Sequence, residues 1–488
     1  MIYGLINLRD GMGQEISTTH FSQADFQRFE RHLQQETDLL ASWIAREELS
    51  RRPAVGGFEL EVWLVDGNCD PVPINEAYLQ RLNHEWVSPE LSRFNVELNG
   101  SPRELHGDAL SRMEDELTDT WRQCCRVAEE FDASLVMVGI LPSVREQQLV
   151  LENMSRMKRY YALNEQVIRL REGRPIRLDI VGREHLQTTH HDVMLESATT
   201  SFQVHWQVPQ SRAVRAYNAS VIASAATVAV SANAPYLFGR DLWDETRIPL
   251  FEQAVEIGGF AGAAHGPLRR VSFGSGYVRQ SMLELYQENL QHFPILLPMK
   301  FEGPEEELPH LRLHNGTIWR WNRPLIGFDD DGTPHMRIEH RVISAGPTIV
   351  DGIANAAFYF GLARYLSDLE PAPETRLSFS VARDNFYACA RNGLQATVTW
   401  FDDCRGSMLQ LLQQKLMPAA RQGLQSLDMD AAQIDRYMGI IEARVESGQN
   451  GSQWQRQYVA RHGCDMRALT AAYMKGQESA EPVHTWPI

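Results

Sequence analysis

Four stretches, far apart in the chain, alternate between apolar and polar side chains. In residues 56–66, Phe58, Leu60, Val62 and Leu64 fall on one side and Glu59, Glu61 and Trp63 on the other. Residues 93–101 set Phe94, Val96 and Leu98 against Asn95, Glu97 and Asn99. Residues 202–208 set Phe202, Val204, Trp206 and Val208 against Gln203, His205 and Gln207, and residues 336–342 put Arg337, Glu339 and Arg341 on one face. A period of two is the mark of a strand with one buried face. Helical spacing of apolar residues predicts helices over 21–50, 110–131, 147–172, 281–292 and 348–366, and an Ala/Ser-rich buried helix over about 219–234. Residues 135–141 and 176–181 read as short strands. Leu311 and Leu313 alternate with Arg312 and His314, and Asp329-Asp330-Asp331-Gly332 reads as a hairpin turn.

The other segments have weaker signals. Pro71, Pro73 and Pro89 punctuate a loop-rich stretch, residues 183–200 show no firm pattern, and about 255–280 is a Gly-rich loop. Glu370-Pro371-Ala372-Pro373 reads as a linker, and the chain after Arg383 as almost wholly helical. The expected fold class is α+β: a curved, mainly antiparallel sheet flanked by helices, with a helical C-terminal region. The expected units are a helical segment (1–54), a catalytic domain (55–368) and the C-terminal helices (369–488).

Charge and composition narrow the function. The formal net charge of −16 argues against a nucleic-acid binder, which needs a basic face. No Cys-x-x-Cys pair occurs among the six cysteines, so they read as reduced thiols of a cytoplasmic protein. Residues 1–10 lack a basic start followed by an apolar run, and 219–234 is short for a membrane span. There is no Walker A sequence, no His-Glu-x-x-His and no Gly-x-Ser-x-Gly.

The polar faces of the four strands change the picture most. Lysine is absent from all of them; carboxylates, a histidine and paired arginines recur. Glu59 and Glu61, two apart on one strand, stand roughly 6–7 Å apart on one face. If the strands share a sheet, four carboxylates gather beside guanidiniums, an arrangement that is hard to maintain without cations. Oxygen ligands favour Mg²⁺ or Mn²⁺, and arginines beside such ions suit a transferring phosphoryl group. The chemistry indicated is metal-dependent nucleotide chemistry.

Gly57-x-Glu59-x-Glu61, Glu97-Leu98-Asn99-Gly100-Ser101-Pro102, Ser231-Ala232-Asn233-Ala234-Pro235 and Arg337-Ile338-Glu339-His340-Arg341 resemble the second glutamate–cysteine ligase family. This likeness runs in order over about residues 55–366. It implies a glutamine synthetase-like catalytic sheet. It also implies an ATP- and Mg²⁺-dependent (or Mn²⁺-dependent) ligation of glutamate, or a related acid, to an amine such as cysteine, through an acyl phosphate. Metal ligands by this resemblance are Glu59, Glu61, Glu97, Glu339 and His205, with Glu104 a further candidate. Catalysis falls to Arg341, Glu339 and Glu59, and nucleotide or phosphate binding to Arg337, Arg323, Arg159 and Tyr160. Substrate contacts fall to Asn99, Gln203, Asn233 and Arg247. The implied partners are small molecules, with no nucleic acid or membrane, and a homo-oligomer is possible.

Two departures stand out. Gln203 occupies the place of the first histidine in the His-x-His of the bacterial carboxylate–amine ligases. The aromatic and basic run from His314 to Pro324 is unlike either branch of the family; such a segment can clamp a nucleotide or a carboxylate. Other readings of the same sheet are a metal-dependent kinase or hydrolase, or a non-catalytic nucleotide-binding subunit.

Overall fold

The structure is a computed structural model that describes residues 20–257 and 269–488. The reading of residues 1–10, and that of the Gly-rich loop where it spans 258–268, lie outside the described residues. The four alternating stretches are strands of one sheet. Its order is Asn322–Phe328, Pro334–His340, Phe202–Gln207, Val55–Asp66, Asn95–Asn99 and Val87–Pro89, with every neighbour antiparallel. Arg103–Glu104 and Ala133–Val136 pair with opposite ends of the long strand Val55–Asp66.

The alternation determines what each face does. Phe58, Leu60, Val62 and Leu64 are buried, as are Phe202, Val204, Val96 and Leu98. Helices Ala109–Glu129, Gln210–Ser231 and Ile349–Asp368 cover this apolar face. Gln210–Ser231 is long and apolar enough to cross a membrane, but 89% of its apolar window is buried inside the protein. Its small side chains allow close packing, and Ser220, Ser224 and Ser231 return their hydroxyl protons to carbonyls four residues back. All six cysteines are free thiols.

Buried side chains form one contiguous core from Phe29 to Trp486. The C-terminal helices Met417–Gln425 and Ala431–Ser447 pack on Ile349–Asp368. At their tightest approach a Cβ on Gly423 would sit 1.8 Å from the Gly361 carbonyl oxygen, so the two backbones touch. Gly423→Val should therefore force the helices apart. The expected loss, read by denaturant unfolding, is roughly 3 kcal/mol.

The structure corrects several expectations. Residues 311–314 are not a strand; they lie in the helix Pro309–Gly316. Pro309 sits in its first turn, and buried Glu36 accepts from the Leu311 N–H at 2.7 Å, satisfying an open helix-end donor. Leu311, His314 and Asn315 then face the core at helical spacing. The loop-rich stretch holds a helix, Asn75–Leu82. The helix expected over 147–172 is confined to Lys158–Leu170, preceded by two short 3-10 turns. The patternless stretch contains a strand, His185–His190, paired with Ile176–Val181, and a 3-10 turn, Met194–Ala198. Past Arg383 there is also a hairpin, Thr397–Trp400 with Cys404–Ser407.

Candidate active site

Register places the polar side chains in rows across one face of the sheet. Glu61 lies opposite Glu97, and Glu59 lies between Asn99 and Gln203. His205 lies between Gly57 and Glu339, and Glu339 lies opposite Arg323. Two residues apart means the same face, so Glu59, Glu61, Glu97, Gln203, His205, Arg323, Arg337, Glu339 and Arg341 all project to one side.

Two acidic groups result. Glu59, His205 and Glu339 each place one ligand atom within 4.8 Å of the others, and so do Glu61, Glu90 and Glu97. Adjacent positions Glu59 and Glu61 thus belong to different groups. Hydrogen bonds hold Glu61, Glu97 and Glu339. Glu61 accepts from Gln203 Nε2 at 2.7 Å and from the Ser201 backbone N–H at 2.6 Å. Glu97 accepts from Asn99 Nδ2 at 3.0 Å. Arg323 grips Glu339 with two parallel bonds of 2.7 and 2.8 Å, and Arg341 Nη1 donates to it at 3.0 Å. The Gln203 amide also accepts from Arg341, so it ties Arg341 to Glu61. Gln203 therefore links the two groups through Arg341, at the position compared above with a histidine of the bacterial carboxylate–amine ligases.

The electrostatics separate the carboxylates. Burial raises the Glu97 carboxyl to about 8, and the charges of Glu59 and Glu61 push the same way. Burial and Glu61 raise Glu196 to about 8. Burial also lifts Glu61, against Arg341, and lifts Glu90 well above the carboxylate range, with Glu97 and Glu61 adding to it. Burial acts on Glu339 too, but Arg323, Arg341 and His205 outweigh it and hold its carboxyl well below that range. Glu339 is thus an anion paired with arginines. The other group consists of carboxyls that cannot all ionise until a positive charge joins them.

The donor set fits a hard divalent cation: oxygen atoms, one imidazole and a surplus of buried negative charge. Among the described residues His205 Nε2 is buried without a hydrogen-bond partner, 3.2 Å from Glu59 Oε1 and 3.8 Å from Glu339 Oε1. Arg337 Nε donates to His205 Nδ1 at 3.2 Å. The proton of a neutral ring then sits on Nε2 and faces the carboxylates. Ligation through Nε2 requires Arg337 Nε to release Nδ1. Arg341 Nε is likewise buried without a hydrogen-bond partner among the described residues, a donor suited to a phosphate oxygen.

Other expected residues lie elsewhere. Glu104 joins neither group. It stands four strand positions beyond Glu59, about 13 Å along, against Arg52 at 3.5 Å and His106 at 3.6 Å. Glu104→Gln should leave turnover within about twofold of the unaltered chain, since surface pairs contribute little; a steady-state assay checks this. Asn233 is fully buried. Its amide donates to the Ala345 carbonyl and Tyr473 hydroxyl and accepts from Gln455, so both of its donor hydrogens are committed within the core. Arg247 donates to the carbonyls of Arg341 and Val342 and to Glu245. These two support the backbone behind Arg341.

Arg323 is committed to Glu339 and the Gly316 carbonyl rather than to a nucleotide. The aromatic run is no clamp: Trp319, Arg320 and Trp321 are buried, with Trp321 Nε1 on Glu252 and Arg320 on Glu288 and Asn289. Arg159 donates to the Tyr160 hydroxyl at 2.9 Å, and that hydroxyl reaches the Pro89 carbonyl. This pair therefore borders the acidic group beside Glu90.

Sequence reasoning missed Glu90 and Glu196. Glu90 follows the three-residue edge strand Val87–Pro89, too short to show alternation. Glu196 sits in a 3-10 turn, which has no strand or helix period.

Comparison with known proteins bears on the same region. No curated protein sequence matches the chain. The fold is similar to that of a glutamate–cysteine ligase from Francisella tularensis in complex with AMP, with a TM-score of 0.55 and 11% identity over 88% of this chain and 90% of that one. It is also similar to a bifunctional glutathione synthetase from Pasteurella multocida, with a TM-score of 0.53 and 8% identity over 90% of this chain but 53% of that one. The sequence pattern of Glutamate-cysteine ligase family 2 (GCS2) matches residues 55–480, which take in the whole sheet and both acidic groups. On that match the chain belongs to glutamate–cysteine ligase family 2, a family of ligases.

Proposed function

We propose that this ligase activates the side-chain carboxylate of glutamate, or of a closely related acid, by phosphorylation from ATP. An amine then attacks the acyl carbon of the acyl phosphate. The carbon–nitrogen bond forms, the carbon–oxygen bond to phosphate breaks, and the amine gives up a proton. The products are an amide, ADP and phosphate, and cysteine is one candidate amine. One observation carries this reading: Glu59, Glu61, Glu97 and Glu339 share a single face with Arg337 and Arg341. The AMP in the Francisella tularensis neighbour supports an adenine nucleotide here.

Glu61, Glu90 and Glu97 would hold one divalent cation. Glu59 and Glu339 would hold another, joined by His205 once Arg337 Nε releases it. Such cations neutralise phosphate oxygens during transfer. Arg341, raised in basicity by Glu339 and Glu61 although burial opposes this, stays charged and offers its Nε to the phosphoryl group in flight. Arg337 would contact the nucleotide phosphates. Arg323 orients Glu339, while Asn99 and Gln203 orient Glu97 and Glu61. Arg159 and Tyr160, at the margin beside Glu90, would meet the acid substrate.

A phosphate-release assay with glutamate and a panel of amines tests the proposal. Release of ADP and phosphate should require Mg²⁺ or Mn²⁺, the acid and an amine together, with an amide detected by mass spectrometry. Phosphate release without an amide product would assign the sheet to a hydrolase instead.

A further inference from the structure

A chain of buried polar contacts runs into the acidic face from the hairpin at its edge. Asp329, just beyond the strand Asn322–Phe328, is held by Ser50 Oγ and by Gln207 Nε2 at 3.1 Å. Its Oδ1 lies 3.1 Å from His335 Nδ1. His335 Nε2 lies 3.3 Å from Arg337 Nη1, and Arg337 Nε lies 3.2 Å from His205 Nδ1. Arginine can only donate, so His335 Nε2 accepts and its ring proton sits on Nδ1, directed at Asp329. Burial would raise the Asp329 carboxyl, but His335, Ser50 and Gln207 outweigh this and hold it near 2, so the acceptor is ionised.

A second feature is built around the same contact. Gly327 lies opposite His335 in the sheet. A Cβ there would stand 2.5 Å from Arg337 Nη1 and 2.7 Å from His335 Nε2. The missing side chain leaves the space in which the two meet. His335, Asp329, Arg337 and Gln207 are buried, so none of these bonds competes with bulk water.

We infer that His335, oriented by Asp329, is a positioning residue for Arg337: it anchors Nη1, so the guanidinium stays beside the acidic face when Nε releases His205. The inference rests on the reading of Arg337 as the nucleotide-phosphate contact. Among the described residues, the other hydrogen bond of Arg337 goes to His205, the residue that a cation must also engage. An arginine with one fixed nitrogen presents its remaining donors to a phosphate at little cost in side-chain order.

Calorimetric titration with MgATP tests this, alongside titration with glutamate. His335→Asn keeps a donor for Asp329 but does not reach Arg337; Gly327→Ala removes no polar group and wedges a methyl between the partners. Both should weaken MgATP binding about tenfold, the worth of one hydrogen bond to a charged group, with glutamate affinity unchanged. His335→Gln restores an acceptor at the Nε2 position and should bind MgATP nearly as the unaltered chain does. Unchanged MgATP affinity in both weakened variants overturns the positioning role. So does an equal loss for glutamate, which marks general distortion. If His335→Asn does not fold, Gly327→Ala decides. No MgATP binding by the unaltered chain defeats the ligase reading itself, and this inference with it.

Discussion

Arg341→Ala is expected to lower the rate of phosphate release with glutamate and amine by about 10³-fold or more, and Glu59→Gln by a similar factor. The loss follows from where Arg341 sits. It bonds Glu339 and Gln203, stands electrostatically against Glu61, and keeps one buried donor without a partner among the described residues. A group so fixed stabilises charge that develops on a phosphoryl oxygen without reorganising, and removing an arginine in that role costs about 10³ or more. Structural loss is separable from catalytic loss. Arg323 still grips Glu339 in the Arg341→Ala chain, so the carboxylate is not left unpaired. The variant should melt within a few degrees of the unaltered chain and bind MgATP through Arg337. Arg341→Lys retains the charge but cannot present the same fork of donors, so part of the rate should return. Near-normal turnover in Arg341→Ala would remove Arg341 from the chemistry. Glu59→Gln tests the other side of the face: the amide matches the carboxylate in shape but lacks the charge a cation needs.

Part of this site was legible in the sequence because strands write their faces in a period of two. Once Phe58 and Leu60 are buried, Glu59 and Glu61 must project together, and the same holds for Glu97, for His205 and for Arg337 with Arg341. A one-residue slip would turn the carboxylates into the apolar helix-covered side and Phe58 onto the polar face, so register is strongly specified. Motif order then brought the four faces together. What alternation cannot carry is orientation at the ends. Asn233 and Arg247 were placed near the substrate by the family resemblance, yet their hydrogen bonds run to Ala345, Tyr473, Arg341 and Val342, behind the face. Trp319 to Trp321 had the composition of a clamp, but burial is a property of the whole fold, and there they pack.

The residues missed outright have a common cause. Glu90 and Glu196 come from segments with too few residues of any one periodicity, and they reach the face only because neighbouring elements deliver them. Leu311 to His314 failed in the opposite sense. Four residues fit a strand or a helix equally well, and the choice was made by Pro309 and by Glu36, which lies 275 positions from Leu311 in the chain. Gln203 is the instructive departure. As a letter it weakened a metal position; in the fold its amide accepts from Arg341 and donates to Glu61, a pair of bonds that a histidine could not make in the same way.

The acidic face should make stability depend on divalent cations in a pH-dependent way. Without a cation, Glu97 and Glu196 have folded-state values near 8, above the value of 4.5 for a free glutamate, chiefly through burial. A group raised on folding contributes its stability fully below 4.5 and loses it as pH rises through 8, because the folded chain then holds unpaired carboxylates. The chelated protein should therefore melt at progressively lower temperature between pH 5 and pH 8.5. On the proposed reading Mg²⁺ would offset the Glu97 part of this penalty by pairing with its ionised form, in competition with protons for the same oxygens. Two sites, each filled at about 100 times Kd, contribute roughly 5 kcal/mol, which for a chain of this length is about 5 °C at pH 8.5. At pH 5 the same addition should shift the melting temperature by about half as much, because protons occupy Glu97 while the Glu339 carboxyl of the other group stays ionised. Glu97→Gln should lessen the pH trend of the chelated protein, because the amide needs no counter-charge and only Glu196 of the two remains, and should halve the response to Mg²⁺. An equal Mg²⁺ shift at both pH values would mean that the cation acts away from these carboxyls, and no shift at pH 8.5 would remove the cation from the acidic face.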